Sequence, residues 1–195
     1  MLVREVMTPD PLTVRTGASL KAALRLLDEN DISSLPVVDE DGRICGVVSE
    51  ADLIRDLVGP DQRLHELPVT EPVPPQGYVD DVMTTHAITV RPESDLTDAV
   101  ELVTSTGIKC LPVVDGDDHV IGVISRRDVV RILARADETL EQEADALLVA
   151  AGMRDWLVDV HDGIAEITGP ESSKERLLAK ALVSSVPGVV AVNVG

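Results

Sequence analysis

Leu35-Pro36-Val37-Val38-Asp39 is written a second time as Leu111-Pro112-Val113-Val114-Asp115, and this duplication decides how the chain is read. Outward from it, Gly46-Val47-Val48-Ser49-Glu50-Ala51-Asp52 recurs as Gly122-Val123-Ile124-Ser125-Arg126-Arg127-Asp128. Val6-Met7-Thr8 recurs as Val82-Met83-Thr84, and Thr13-Val14-Arg15 as Thr89-Val90-Arg91. The spacing stays constant from Val6/Val82 to Arg55/Arg131 with no insertion. A fixed period over that length marks a duplicated structural unit.

Each copy reads as strand, helix, strand, strand, helix. Residues 12–14 form a short strand, and Ser19 caps a helix whose apolar stripe is Leu20, Ala23, Leu24 and Leu27. Asp95 caps the equivalent helix, with Leu96, Ala99, Val100 and Val103 inside. Two apolar runs, 35–38 and 44–48, flank the acidic turn Asp39-Glu40-Asp41-Gly42, which is a hairpin signal. A second helix covers residues 49–58, and its partner 125–136. Between the copies, residues 59–78 carry Pro60, Pro68, Pro72, Pro74 and Pro75, which reads as a stiff, partly extended connector.

From about Asp137 the pattern changes. Residues 138–156 read as a helix with Leu140, Ala144, Leu147 and Leu148 apolar. Residues 158–160, the turn His161-Asp162-Gly163 and residues 164–168 make a hairpin closed by Gly169. Residues 172–185 form an amphipathic helix burying Leu177, Leu178, Ala181 and Leu182, ended by Pro187-Gly188, and 189–194 is a last strand. The expected fold is α/β (α+β): two tandem β-α-β-β-α units related by a pseudo-twofold, then a small helix-and-sheet domain. The expected divisions are 1–59, a Pro-rich linker 60–78, 79–136 and 137–195.

Composition narrows the function. The 195 residues are 44% hydrophobic but contain no Phe, with Trp156 and Tyr78 the only aromatics. A flat ligand must therefore be gripped by aliphatic walls and backbone groups. The net charge of −18 repels polyphosphate at long range and argues against a nucleic-acid partner. A small phosphorylated ligand is not excluded, because exposed charges are screened beyond roughly 8 Å. Two cysteines, no apolar leader and no run of about 20 apolar residues suggest a cytoplasmic protein with reduced thiols.

The duplicated Val-Met-Thr, Leu-Pro-Val-Val-Asp and Gly-x-x-Ser-x-x-Asp motifs resemble the CBS-domain family, named after cystathionine β-synthase, in its paired arrangement, the Bateman module. The resemblance covers about residues 1–136. It implies binding of AMP, ADP, ATP or a related adenosyl ligand between the two copies, and homodimers of pairs. Ser49 and Ser125 stand where a strand turns into a helix, so backbone N–H groups and the positive dipole end suit a phosphate. Asp52 and Asp128, one turn in, suit the hydroxyls of a ribose. Adenine would lie against the aliphatic edges at residues 32–36 and 108–112, bounded by Ile32, Pro36, Ile108 and Pro112. The alternative reading of Ser-x-x-Asp is an acidic capping box with no ligand involved.

The copies differ after the serine. Arg126 and Arg127, with Arg131 one turn on, favour phosphate, whereas Glu50 repels it, so the Ser125/Asp128 site is expected to be the stronger. Arg126 and Arg127 also read as ordinary solvated charges. The acidic turns 39–41 and 115–118 are assigned to turn chemistry, not to a metal.

The segments 162–169 and 186–192 resemble the BON domain, which implies attachment to a membrane surface or phospholipid; binding to a protein partner, or to its own twin, is the alternative. Lys174, Arg176 and Lys180 are the only basic candidates there, and they read as solvated helix charges. As an enzyme the chain offers little. His65, His86, His119 and His161 are scattered, no zinc spacing occurs, and Cys45 in its apolar strand reads as packing. The expectation is a non-enzymatic sensor with no cofactor, taking an adenine nucleotide as a regulatory ligand. A ligand-free adaptor is the competing reading.

Overall fold

The computed structural model describes residues 1–57 and 77–195. All but the last two residues of the Pro-rich linker lie outside that range. The described residues form two compact units, one of Met7–Pro92 with Glu101–Ser125, the other of Met1–Val6, Glu93–Val100 and Arg126–Gly195.

In the first unit, β1 (Thr8–Pro9) and β2 (Val14–Arg15) precede α1 (Leu20–Glu29), which Ser19 caps by accepting from the Ala22 N–H at 3.2 Å. Leu20, Ala23 and Leu27 are buried, as their spacing requires. The hairpin follows as β3 (Ser34–Val38) and β4 (Ile44–Ser49), and then α2 (Glu50–Leu57). The second copy opens with α3 (Val79–Val82) and β5 (Thr84–Thr85). It continues through α4 (Leu96–Ser105), β6 (Cys110–Val114), β7 (Val120–Ser125) and α5 (Arg126–Leu133), of which α5 and residues 96–100 of α4 belong to the second unit. Asp95 caps α4 through the Thr97 N–H at 2.8 Å.

The short strands cross between copies. β5 pairs with β4, in the sheet β2-β3-β4-β5, and β1 pairs with β7, in the sheet β1-β7-β6. Each copy thus lends its Val-Met-Thr segment to the hairpin of the other. Gly46 and Gly122 make this possible. A Cβ at Gly46 would lie 2.6 Å from the Thr84 carbonyl oxygen, and one at Gly122 would lie 2.5 Å from the Met7 sulfur. The duplication extends to backbone dihedrals. Asp10 and His86 (φ 46° and 56°), Asp31 and Gly107 (51° and 75°), and Gly42 and Asp118 (86° and 64°) are matched left-handed residues. One core of this unit gathers Val14, Leu20, Ala23, Leu27, Leu35, Val37, Val48, Leu53 and Val79.

In the second unit, α6 (Asp137–Ala150), β8 (Leu157–His161), β9 (Ile164–Thr168), α7 (Ser173–Val183) and β10 (Ala191–Val194) follow α5. The sheet order is β10-β9-β8, antiparallel at β8 and parallel at β10. Asp162 and Gly163, both at positive φ, make the two-residue turn. Asp137 holds that turn by accepting from the N–H groups of Asp162 and Gly163 at 2.8 and 2.9 Å. Arg135, near the end of the second copy, donates to the Pro187 carbonyl at 2.5 Å and pairs with Glu143.

Two sequence expectations are corrected here. α6 stops at Ala150, short of Trp156, because Gly152 (φ 89°) turns the chain into a Schellman cap with Gly152 N–H to Val149 O and Met153 N–H to Leu148 O. And α7 buries Ala179 and Val183, with Leu182 half-buried, leaving Leu177 72% and Leu178 44% exposed and Ala181 exposed. The long leucines attract a periodicity reading, but close packing against the sheet selects the small alanine.

Candidate functional site

A cavity of about 500 Å³ lies within the first unit. That is within the range of small-molecule sites, roughly 300–1,000 Å³. Its walls come from both copies. Ser34 of β3, Val47 and Ser49 of β4, and Asp52 of α2 belong to the first. Thr84, His86, Ala87, Ile88 and the run from Thr106 to Cys110 belong to the second. The aliphatic surface is Val47, Ala87, Ile88 and Ile108. The charged groups are Asp52 on one side and Lys109 from the other copy, which also contributes the imidazole of His86.

The crossover builds this site. Pairing of Val47 with Thr84 draws the segment after β5 across the end of β4, where β4 turns into α2. His86 is held left-handed at φ 56°, a conformation of limited population outside glycine, which carries the chain on along the cavity wall. Gly107 at φ 75° does the same for the loop from α4 to β6.

Asp52 is half-buried. Its Oδ2 accepts from the Ser49 hydroxyl at 2.6 Å and the Ser49 N–H at 3.0 Å. Among the described residues its Oδ1 has no partner. The Glu50 N–H goes to the Ser33 carbonyl at 3.0 Å. At this junction the N–H groups of Ser49 and Glu50 therefore already have partners, the Asp52 carboxylate and the Ser33 carbonyl. Both Ser49 bonds use the same oxygen of Asp52, and Asp52 lines the cavity.

Of the remaining expected residues, Ile108 lines the cavity, whereas Ile32 packs against the first-unit core and Pro36 and Pro112 are buried inside β3 and β6. These three do not line this cavity. Side chains alternate across a strand, so the neighbours that reach the cavity are the matched positions Ser34 and Cys110. In the second copy, Ser125 ends β7 half-buried, and Arg126 and Arg127 open α5 exposed. Asp128 is buried, 4% exposed, and its Oδ1 accepts from Arg131 Nη2 at 2.6 Å. Arg131 is thereby engaged with a carboxylate on its own helix.

Sequence reasoning gave no binding role to Lys109, His86, Thr84 or Thr106, although Thr84 ends a repeated motif and Lys109 lies in the 108–112 run. Their place at the cavity comes from strand pairing with the other copy. The acidic turns follow turn chemistry. Asp39 Oδ1 accepts from the Asp41 and Arg43 N–H groups, both at 2.9 Å, and Asp115 Oδ1 from those of Asp117 and His119, both at 3.0 Å. Cys45 is half-buried in β4. Burial pushes its thiol above the ordinary value, with Asp39 and Asp80 adding to the rise. Among the described residues no helix is long and apolar enough to cross a membrane, and no cluster of three or more His, Cys, Asp or Glu is placed to hold a metal.

Two α/β copies joined by exchanged strands, with a cavity at one strand-to-helix junction, define a tandem module. The CBS domain model matches residues 3–59 and 79–135, and the chain belongs to the CBS domain family. Uncharacterized protein MJ1426 of Methanocaldococcus jannaschii is 29% identical over 154 residues, 68% of this chain and 91% of that protein. The crystal structure of CBSX2 in complex with AMP, a protein of Arabidopsis thaliana, is 35% identical, with a TM-score of 0.56 over 67% of this chain and 93% of that one. The CBS domain pair of protein MJ0100, in complex with 5′-methylthioadenosine and S-adenosyl-L-methionine, shares the fold at 22% identity and a TM-score of 0.54, covering 67% of this chain and 94% of that one.

Proposed function

We propose that this chain is a regulatory sensor, not an enzyme, and that an adenine nucleotide or related adenosyl ligand binds in the cavity beside Asp52. The observation that carries this is the composition of the walls. A carboxylate with an open oxygen stands on one copy, a lysine and a histidine on the other, and aliphatic surface lies between them. Asp52 Oδ1 accepts from ribose hydroxyls, Lys109 and His86 take the phosphate, and Val47, Ile88 and Ile108 cover the base. A ligand touching both copies favours one arrangement of the pair by its differential affinity, typically 1–3 kcal/mol. The likeness to CBSX2 in complex with AMP supports the ligand class.

The unit that follows α5, helix–strand–strand–helix–strand in order, is read as a BON-like effector domain for a protein partner or membrane surface. The protein is read as a cytoplasmic homodimer through its CBS pairs. Isothermal titration and thermal shift with AMP, ADP, ATP and S-adenosylmethionine test the sensor. At 100 times its dissociation constant a ligand adds about 2.7 kcal/mol of stability. No heat and no shift with any of the four rejects it. A ligand-free adaptor is then the reading, favoured by the Ser49–Asp52 hydrogen bonds, which form without a ligand.

A further inference from the structure

We infer that α5, the closing helix of the second copy, is anchored by the C-terminal domain, which is thereby fixed to the pair through this helix and not strung from it as a tethered module. The comparison is with α2, which holds the matched place in the first copy. Leu53 of α2 is fully buried in a core with Leu20, Leu27 and Leu35. Its counterpart in α5, Val129, is only half-buried, and Val130 and Leu133 are exposed. Asp128 is the one residue that α5 buries, so the helix has no fully buried apolar side chain. Eight residues are too few for a helix to persist in water by itself, and its anchorage comes from outside it.

The anchor is the Pro187-Gly188 corner between α7 and β10. Arg135, two residues past α5, donates to the Pro187 carbonyl at 2.5 Å and pairs with Glu143 of α6. Gly188 lies against the end of α5. A Cβ there would stand 2.9 Å from the Ile132 carbonyl oxygen and 2.9 Å from Leu140 Cδ2. Val186 and Val189, which flank the corner, are buried with Leu140 in the C-terminal core. The corner thus meets the backbone of α5 while its neighbours sit in that core, an approach that glycine permits at φ 107°. Accordingly α5 falls in one compact unit with the rest of the chain to Gly195, and the boundary comes between Ser125 and Arg126, inside the second copy. A displacement of α5 carries the C-terminal domain with it, and a partner that grips the Pro187-Gly188 corner acts on the second copy. This coupling goes beyond the cavity at Asp52 and holds with or without a ligand there.

Hydrogen exchange of the full chain, read by mass spectrometry, tests this with Arg135→Ala. The amides of α5 should exchange about tenfold faster than in wild type, the worth of one charge-assisted hydrogen bond, while those of α2 keep their wild-type rates. Gly188→Ala should act in the same direction. If α5 exchanges as in wild type, or if α2 speeds up as much as α5, the coupling is overturned. Should Arg135→Ala unfold the C-terminal domain, seen as a red shift of Trp156 emission, α5 should lose its protection together with that domain. An α5 that stays protected beside an unfolded C-terminal domain overturns the coupling as well.

Discussion

Gly46 of one copy lies against the backbone of Thr84 of the other, so closely that a Cβ at Gly46 would be 2.6 Å from the Thr84 carbonyl oxygen and 3.0 Å from the Met83 sulfur. This contact ties the duplicated Gly-Val-x-Ser strand to the duplicated Val-Met-Thr segment across copies, and it holds Thr84 and His86 at the cavity wall.

Gly46→Ala is accordingly expected to destabilise by about 1–3 kcal/mol, because the obstacle is backbone and cannot rotate away. Gly116→Ala, where a Cβ meets nothing within 4 Å, is the control and should stay within about 0.5 kcal/mol of wild type. Urea denaturation followed by circular dichroism measures both. Equal midpoints for the two variants would show that the exchanged strand is not held by this approach.

Lys109→Ala should weaken AMP binding about threefold to tenfold while leaving adenosine unaffected, the modest size reflecting an exposed cation. The difference between the two ligands should shrink as salt rises. Titrations at low and high ionic strength read this directly, and equal losses for AMP and adenosine would remove Lys109 from the phosphate.

Acid should unfold the chain partly through three capping and turn carboxylates. Glu175 is held below its ordinary value first by the Ser172 N–H and then by that of Glu171. Asp95 is lowered by the Thr97 N–H, and Asp115 chiefly by that of His119. A depressed folded pKa contributes stability above the unfolded value, and that contribution is lost as pH falls through the folded one. The melting temperature should therefore decline as pH drops below the ordinary carboxylate range. Glu175→Gln should flatten the decline, and an unchanged slope would contradict the capping role.

Gly169 (φ 124°) sits under Trp156, where a Cβ would come within 2.5 Å of Cδ1. Gly169→Ala should displace the indole, which packs on the C-terminal core, and red-shift the emission of the only tryptophan. Unaltered fluorescence would mean the ring is not seated there.

How legible all this was in sequence differs by feature. The hairpins, the Ser19 and Asp95 caps and the Asp162-Gly163 turn could be read because each depends on residues within a few positions of one another. Helix α7 could not, since Leu177 and Ala179 compete for the buried face and only the sheet beneath decides between them. Asp52 and Ser49 stood out as a repeated motif, but the groups across the cavity from them did not, because Lys109 and His86 are distant in sequence and follow no pattern.

Sequence alone determined the duplication, the strand and helix order and the two candidate aspartates, because period, caps and turns are local chemistry. Only tertiary structure decided that the leading strands change places, that the cavity opens at Asp52, and that Arg131 takes Asp128. Those outcomes depend on which backbone approaches a glycine and on which charge reaches a carboxylate first, and both are settled by packing.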